Sequence, residues 1–278
     1  MNIGNIGLIN RGNDCYLNST LQFITQGKKV NKQLLKYYND SDLYKFFILL
    51  FKQKWDDTEA QLNPKDIKYL VSKKFKQFNN NYQQDSHEFL VCLLDLLENN
   101  TIKHFYDSKI ESTIKCNYCN NISKTLQEQR FISLSIPDEQ TTLRKCFKNY
   151  ILQENLDDWK CEKCRGNKGT KKLLILNLSQ YIIIHFKRFK WIKNGKRINT
   201  PIDFPIDWKI NNNNKYKLRS IINHYGSFDG GHYTSTGRIN SNKWLVYDDT
   251  KISKIQTNDI KNKFKTSAYL LLYEKFKE

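Results

Sequence analysis

Cys15 sits where a polar, glycine-containing loop, Gly7 to Asp14, turns into a run with Leu17, Leu21 and Ile24 at helical spacing. Asn13 or Asp14 would cap that helix with a side-chain oxygen that accepts the first free backbone amides. A thiol in the first helical turn meets unpaired N–H groups and the positive end of the helix dipole, which favour thiolate. Asn10, five residues upstream, offers a side-chain amide to a developing oxyanion. A buried structural cysteine is the other reading, but loop, cap and helix around Cys15 point to a nucleophile. Such a nucleophile needs a base. Between Ile221 and Ser235 a strand runs into a glycine-containing loop and leaves through Gly230-Gly231 onto His232, with His224 on the approach. Either imidazole could also be an ordinary strand histidine. The glycines let backbone pass close to a ligand and let the loop move. The apolar segment Trp244 to Tyr247 then ends in Asp248 and Asp249, one of which would orient an imidazole through its second ring nitrogen.

A different chemistry is written at Cys116-Asn117-Tyr118-Cys119 and Cys161-Glu162-Lys163-Cys164. The two-residue gap lets both sulfurs of a pair reach one ion. Four thiolates complete a tetrahedral zinc shell with no open position, so such a site is structural and no catalytic cofactor is implied. Free thiols or a redox pair are the alternatives, which the duplication disfavours. About forty residues separate the pairs, more than in a compact zinc ribbon, and extended strands would fill the gap. Cys92 and Cys146 lie among apolar residues and read as core.

The elements that must position these groups follow from periodicity. Lys28 to Phe51 reads as helical, with Leu43, Phe46, Phe47, Leu50 and Phe51 on a core face. Asn63-Pro64-Lys65-Asp66 opens another helix, with Pro64 in its first turn and Ile67, Leu70 and Val71 on one side. Asp85 and Glu88 have the spacing of a capping box at the start of a helix through Leu97. From Phe105 to Tyr181 the texture becomes β-like: Phe131 to Ile136 alternates and stops at Pro137, and Leu143, Cys146, Phe147, Tyr150 and Ile151 form a helical stripe. Leu173 to Leu178 and Tyr181 to Phe186 read as central strands buried on both faces, which makes His185 a satisfied strand histidine. Asn211 to Asn214 is a solvated turn, too short for a domain linker.

With 278 residues, 39% of them hydrophobic, the chain can bury a sizeable core. No apolar run is long enough to span a bilayer, and the first residues lack a signal core, so no membrane partner is expected. Seven cysteines, four of them in Cys-x-x-Cys pairs, read as reduced intracellular thiols and metal, hence cytosol or nucleus. The net charge of +18 would suit nucleic acid, but the excess is scattered lysine rather than arginine forks. The chain is also rich in Asn, Ile, Tyr and Phe, so the lysines read either as compositional drift toward this residue set or as functional charge, and no dedicated nucleic-acid role is expected.

The stretch from Gly7 to Gln22 resembles the cysteine box of the ubiquitin-specific proteases, Gly-Leu-x-Asn-x-Gly-Asn-x-Cys-Tyr-x-Asn-Ser-x-Leu-Gln, at every fixed position. Further boxes follow in order: Gln83-Gln84-Asp85 with Glu88-Phe89, the His185 segment with Phe186 for the usual Leu, Gly231-His232-Tyr233, and Trp244 to Asp249 with Tyr247 for the usual Phe. The resemblance selects His232 over the other histidines and Asp248 as its orienting carboxylate, with Asp249 supporting the oxyanion side. It implies an α+β, papain-like cysteine protease fold in one domain, 1–278, with no appended module. A helical thumb (about 1–105), zinc-bearing β fingers (about 106–180) and a β palm (about 181–278) would compose it. Cys15, His232, Asp248, Asn10 and Asp249 would form the catalytic centre. Asp85 and Glu88 would meet the basic C-terminal tail of ubiquitin, and Gly230, Gly231 and Tyr233 would line its path. Cys116, Cys119, Cys161 and Cys164 would hold the zinc. The implied activity is hydrolysis of the bond after the Gly-Gly end of ubiquitin, on ubiquitin conjugates, by a monomeric enzyme. The rivals are an inactive ubiquitin-binding module, a protease for a ubiquitin-like modifier, and a zinc-containing nucleic-acid binder that would leave the Cys and His boxes unexplained.

Overall fold

Helices come first in the computed structural model, which describes residues 4–36, 41–55, 61–190, 195–227 and 230–276. They are α1 (Cys15–Ile24), α2 (Lys28–Leu34), α3 (Asp42–Trp55), α4 (Lys65–Lys74), α5 (Ser86–Leu96) and α6 (Asn100–Tyr106). The expected apolar faces account for most of their packing: Leu43, Phe47, Leu50, Phe51, Ile67 and Val71 are buried, and Leu70 is half-buried. Phe46, expected in that core, is instead exposed. None of these helices is long and apolar enough to cross a membrane, and the same holds for every described helix.

A sheet of eight strands carries the second half of the chain. Its order is 251–256, 243–248, 231–238, 214–226, 268–275, 181–186 and 131–134, with 207–211 paired to 214–226 off that path. All pairings in it are antiparallel except 131–134 with 181–186. Successive side chains of a strand point to opposite faces, and that period is visible in two central strands. Tyr181, Ile183, Leu270 and Leu272 pack into a cluster with α1, α3 and α5 through Leu17, Leu21, Phe47, Phe89 and Leu93. Ile182, Ile184, Leu271 and Tyr273 face a second cluster with Trp208, Trp244, Phe147 of α7 (Leu143–Ile151) and Phe264 of α8 (Thr257–Phe264). The 181–186 strand is therefore covered on both sides, as its unbroken apolar run requires.

The strand 169–177 does not share that environment. It lies in a separate antiparallel sheet of order 122–129, 108–116, 169–177, 154–156. Helix α7 packs on one face of it, while Leu174 and Leu176 are 51% and 52% exposed on the other. Its apolar run, read as buried on both faces, is covered on one only. This sheet brings the cysteine pairs together: Cys116 ends one strand and pairs in register with Gly169.

Candidate active site

Helix α1 is buried along its whole length and lies against the strand 231–238. Cys15 is its first residue and is 5% exposed. Asp14 takes the N-cap position, yet its side chain makes no capping bond; it accepts from Lys68 Nζ at 2.6 Å instead. Neither Asp14 nor Asn13, which donates to the Asn81 carbonyl, caps the helix as the sequence suggested. Asn10 supplies the local order: its Oδ1 accepts the backbone N–H groups of Gly12 at 3.0 Å and Asp14 at 3.1 Å. Its Nδ2 donates to Asp249 Oδ2 at 2.8 Å. An amide nitrogen carries two hydrogens, so one remains for a further acceptor.

His232 stands at the start of the strand 231–238, and Asp248 ends its neighbour 243–248. Ser235 pairs with Tyr247, so Asp248 reaches diagonally across the ladder to His232. His232 Nε2 and Asp248 Oδ1 are 2.6 Å apart, which leaves Nδ1 for the thiol. The hydrogen bond to Cys15 and then that to Asp248 raise the imidazole's pKa to about 9 against the opposing effect of burial. His224, the rival base, is braced by Arg197, whose Nε donates to its Nδ1 at 3.1 Å. Burial, followed by Arg197, pushes it down to about 4. His185 bonds Ser133 Oγ through Nδ1 at 3.0 Å and stacks on His87 at 4.0 Å.

Asp249 follows in left-handed backbone at φ +53°, which aspartate tolerates better than most residues. Its Oδ1 accepts from Asn18 Nδ2 at 2.7 Å while Oδ2 holds Asn10. Asn18 was not singled out from sequence, although an asparagine inside a helix is a poor helix former and a signal in itself. Tyr247 is buried and donates its hydroxyl to the Gly4 carbonyl at 2.8 Å, so the residue in place of Phe finds a partner.

A cavity of about 470 Å³ opens between α5 and the sheet, lined among others by Gln83, Asp85, Glu88, His185, Tyr233 and Tyr269. Gln83 Oε1 accepts the Gly231 N–H at 2.8 Å, which ties the cavity wall to the strand of His232. A side chain at Gly231 would put its Cβ 2.1 Å from His224 Nε2, so only glycine fits there. Gly230 is exposed at the loop; Phe228 and Asp229 of the same loop lie outside the described residues. Asp85 caps α5, its Oδ1 accepting the N–H groups of His87 at 2.7 Å and Glu88 at 2.9 Å. Its Oδ2 accepts the hydroxyls of Tyr269 at 2.7 Å and Tyr233 at 3.2 Å. Glu88 is exposed, and burial followed by the Asp85 charge raises its pKa.

The two Cys-x-x-Cys turns repeat one geometry. Cys116 N–H donates to Asn121 O and Asn120 N–H to Cys116 O; Cys161 N–H donates to Gly166 O and Arg165 N–H to Cys161 O. Asn120 and Arg165, each next after its second cysteine, have φ of 57° and 61°. The four Sγ atoms all lie within 4.8 Å of one another, a set that could hold a metal ion. The Cys116–Cys164 and Cys119–Cys161 separations are 3.6 and 3.7 Å. A tetrahedron with Zn–S bonds of about 2.3 Å has edges of about 3.8 Å, so the donor set fits zinc.

A thiol, an imidazole and a carboxylate thus stand together where α1 meets the sheet. The chain belongs to the ubiquitin carboxyl-terminal hydrolase family, whose model matches residues 6–273. Ubiquitin carboxyl-terminal hydrolase Usp2 of Drosophila melanogaster is 27% identical over 330 residues, covering 98% of this chain and 35% of the fly protein. Human ubiquitin carboxyl-terminal hydrolase 27 is 26% identical over 354 residues, covering 98% and 79%. The chain thus spans about a third of the fly relative's length. In fold it matches a SAGA DUB module of Ubp8, Sgf11, Sus1 and Sgf73 bound to monoubiquitin, at a TM-score of 0.82 and 23% identity over 98% of this chain and 69% of that one. A yeast SAGA DUB module with variant Sgf73 gives 0.79 and 24%, over 98% and 68%.

Proposed function

We propose that this chain is a deubiquitinating cysteine protease that hydrolyses the isopeptide or peptide bond after the C-terminal Gly-Gly of ubiquitin. The observation that carries the reading is the grouping of Cys15, His232 and Asp248, brought together from three separate elements. His232 Nδ1 takes the Cys15 proton, and the thiolate attacks the carbonyl of the terminal glycine. The free N–H of Asn10 Nδ2 and the uncapped amides at the start of α1 hold the oxyanion. His232 then protonates the departing lysine amine, and water released onto the acyl-enzyme regenerates the thiol. Asp85 and Glu88 take the basic residues of the ubiquitin tail, and Gly230, Gly231 and Tyr233 line its approach.

Cys116, Cys119, Cys161 and Cys164 hold a structural zinc in this proposal. The ion supplies a cross-link between two distant segments and no step of the reaction. The setting proposed is cytosol or nucleus, on the ground that four of the seven cysteines are committed to thiolate ligation. The experiment is reaction with C-terminal electrophile probes made on ubiquitin and on its relatives. The ubiquitin probe is expected to form an adduct with the parent and none with Cys15→Ala. Labelling by a relative's probe alone would make the enzyme a protease for that modifier, and undiminished labelling of Cys15→Ala would move the nucleophile elsewhere.

A further inference from the structure

All the acceptor positions of Asp85 are taken within the protein. A carboxylate offers about four lone-pair sites. Two N–H groups of α5 use Oδ1, and the hydroxyls of Tyr233 and Tyr269 use Oδ2. The two phenols come from 148 and 184 residues away, on the strand 231–238 and on the central strand 268–275. Both rings are buried, Tyr233 at 7% and Tyr269 at 2% exposure. Asp85 and Glu88 nevertheless face the open cavity, and among the described residues neither carboxylate has an ion-pair partner. The cavity therefore presents two carboxylates without an ion pair, in a wall that also carries Lys187, and the acceptor sites of Asp85 are already engaged.

We infer that Tyr269 is a positioning residue which, with Tyr233, holds Asp85 closed until a cationic residue of the substrate tail exchanges for a phenol at Oδ2. Asp85 is then a fastening in the free enzyme and a ligand in the complex. Exchange conserves charge-assisted bonding: the guanidinium or ammonium donates to Oδ2, and the released hydroxyl turns to cavity water. This inference rests on the proposed deubiquitinase reading and names the event by which its substrate tail is admitted.

The test measures the dissociation constant of free ubiquitin, and of ubiquitin with its basic tail residues made neutral, in a Cys15→Ala background. Removing the competing phenol with Tyr269→Phe is expected to tighten native ubiquitin roughly three- to tenfold. Neutral-tailed ubiquitin gains nothing, and in an Asp85→Asn background the Tyr269→Phe effect vanishes. Tyr233→Phe carries the same expectation should Tyr269→Phe not fold. Unchanged or weaker binding of native ubiquitin, or an equal gain for both tails, would overturn the exchange. A parent that neither binds nor processes ubiquitin would defeat the deubiquitinase reading as well, whereas a parent that cleaves it with the constant unmoved defeats the exchange alone.

Discussion

Asp249 holds Asn10: the side-chain N–H of Asn10 meets Asp249 Oδ2 at 2.8 Å across 239 residues of chain. The other oxygen of the same carboxylate holds Asn18 of the helix that begins with Cys15. Asn10 and the helix of Cys15 are thus fixed to one another by the residue after Asp248. Asp249→Ala should release Asn10 while leaving Cys15, His232 and Asp248 in place. Loss of an oxyanion donor costs about 10²–10³ in kcat, and loss of its support should cost about tenfold to hundredfold. Steady-state kinetics on a ubiquitin C-terminal amide should find this in kcat with KM little changed. A kcat within twofold of the parent would separate Asp249 from the oxyanion.

The pH behaviour follows from His232. Its pKa rises from 6.5 to about 9 in the fold, through the Cys15 hydrogen bond first and the Asp248 bond second, against burial. A group raised in this way stabilises the protein fully below its unfolded value and loses that contribution as pH climbs through the folded value. Melting temperature should therefore decline between about 6.5 and about 9, and more in the parent than in Asp248→Ala. Activity should fall on an alkaline limb near 9, where the imidazolium that protonates the leaving amine is lost. Asp248→Ala should move that limb to lower pH; a limb that stays put would assign the titration to another group.

What the sequence made legible was chemistry with a local signature. A cysteine at a loop-to-helix junction, a histidine behind paired glycines and two Cys-x-x-Cys turns each need a particular backbone, and that backbone leaves residues to be read. Partnerships closed by the tertiary fold left no such mark. Asp14 looks like a cap because aspartate caps helices, but only the fold brings Lys68 within 2.6 Å of it. Leu174 and Leu176 extend an apolar run, and nothing in that run reveals that α7 covers one face alone. Tyr269 buries its ring in the core from the strand 268–275, and nothing local to that strand reveals that its hydroxyl meets Asp85.

Zinc at the four cysteines should be detectable as one tightly bound equivalent per chain in reduced, purified protein, with sulfur-only ligation by X-ray absorption. Cys161→Ser should abolish that binding and loosen the sheet 108–177, whose strands carry both turns. With a zinc that is structural only, as proposed, the variant should lose affinity for ubiquitin more than kcat. Metal-free protein that melts and binds like the parent would show the thiols to be idle.

Asp85→Asn joins stability and substrate in one residue. A helix cap alone would tolerate the change, since asparagine caps about as well as aspartate. The two phenols on Oδ2 alter that expectation. An amide presents N–H where Tyr233 and Tyr269 now donate, so both hydroxyls must turn and accept, and the charge that strengthened both bonds is gone. Bonds to charged groups contribute about 1.5–3 kcal/mol each, and partial recovery by the turned hydroxyls leaves a net cost of about 2 kcal/mol. In a chain of this size that lowers the melting temperature by about 4–8 °C. Catalytic efficiency on ubiquitin should fall roughly ten- to hundredfold for want of the tail contact. On a short substrate without basic tail residues, the fall should be severalfold at most. An Asp85→Asn enzyme with the parent's melting temperature would mean that the phenols do not depend on the carboxylate. Equal activity on ubiquitin would leave Asp85 as a cap and a fastening, with the tail bound elsewhere.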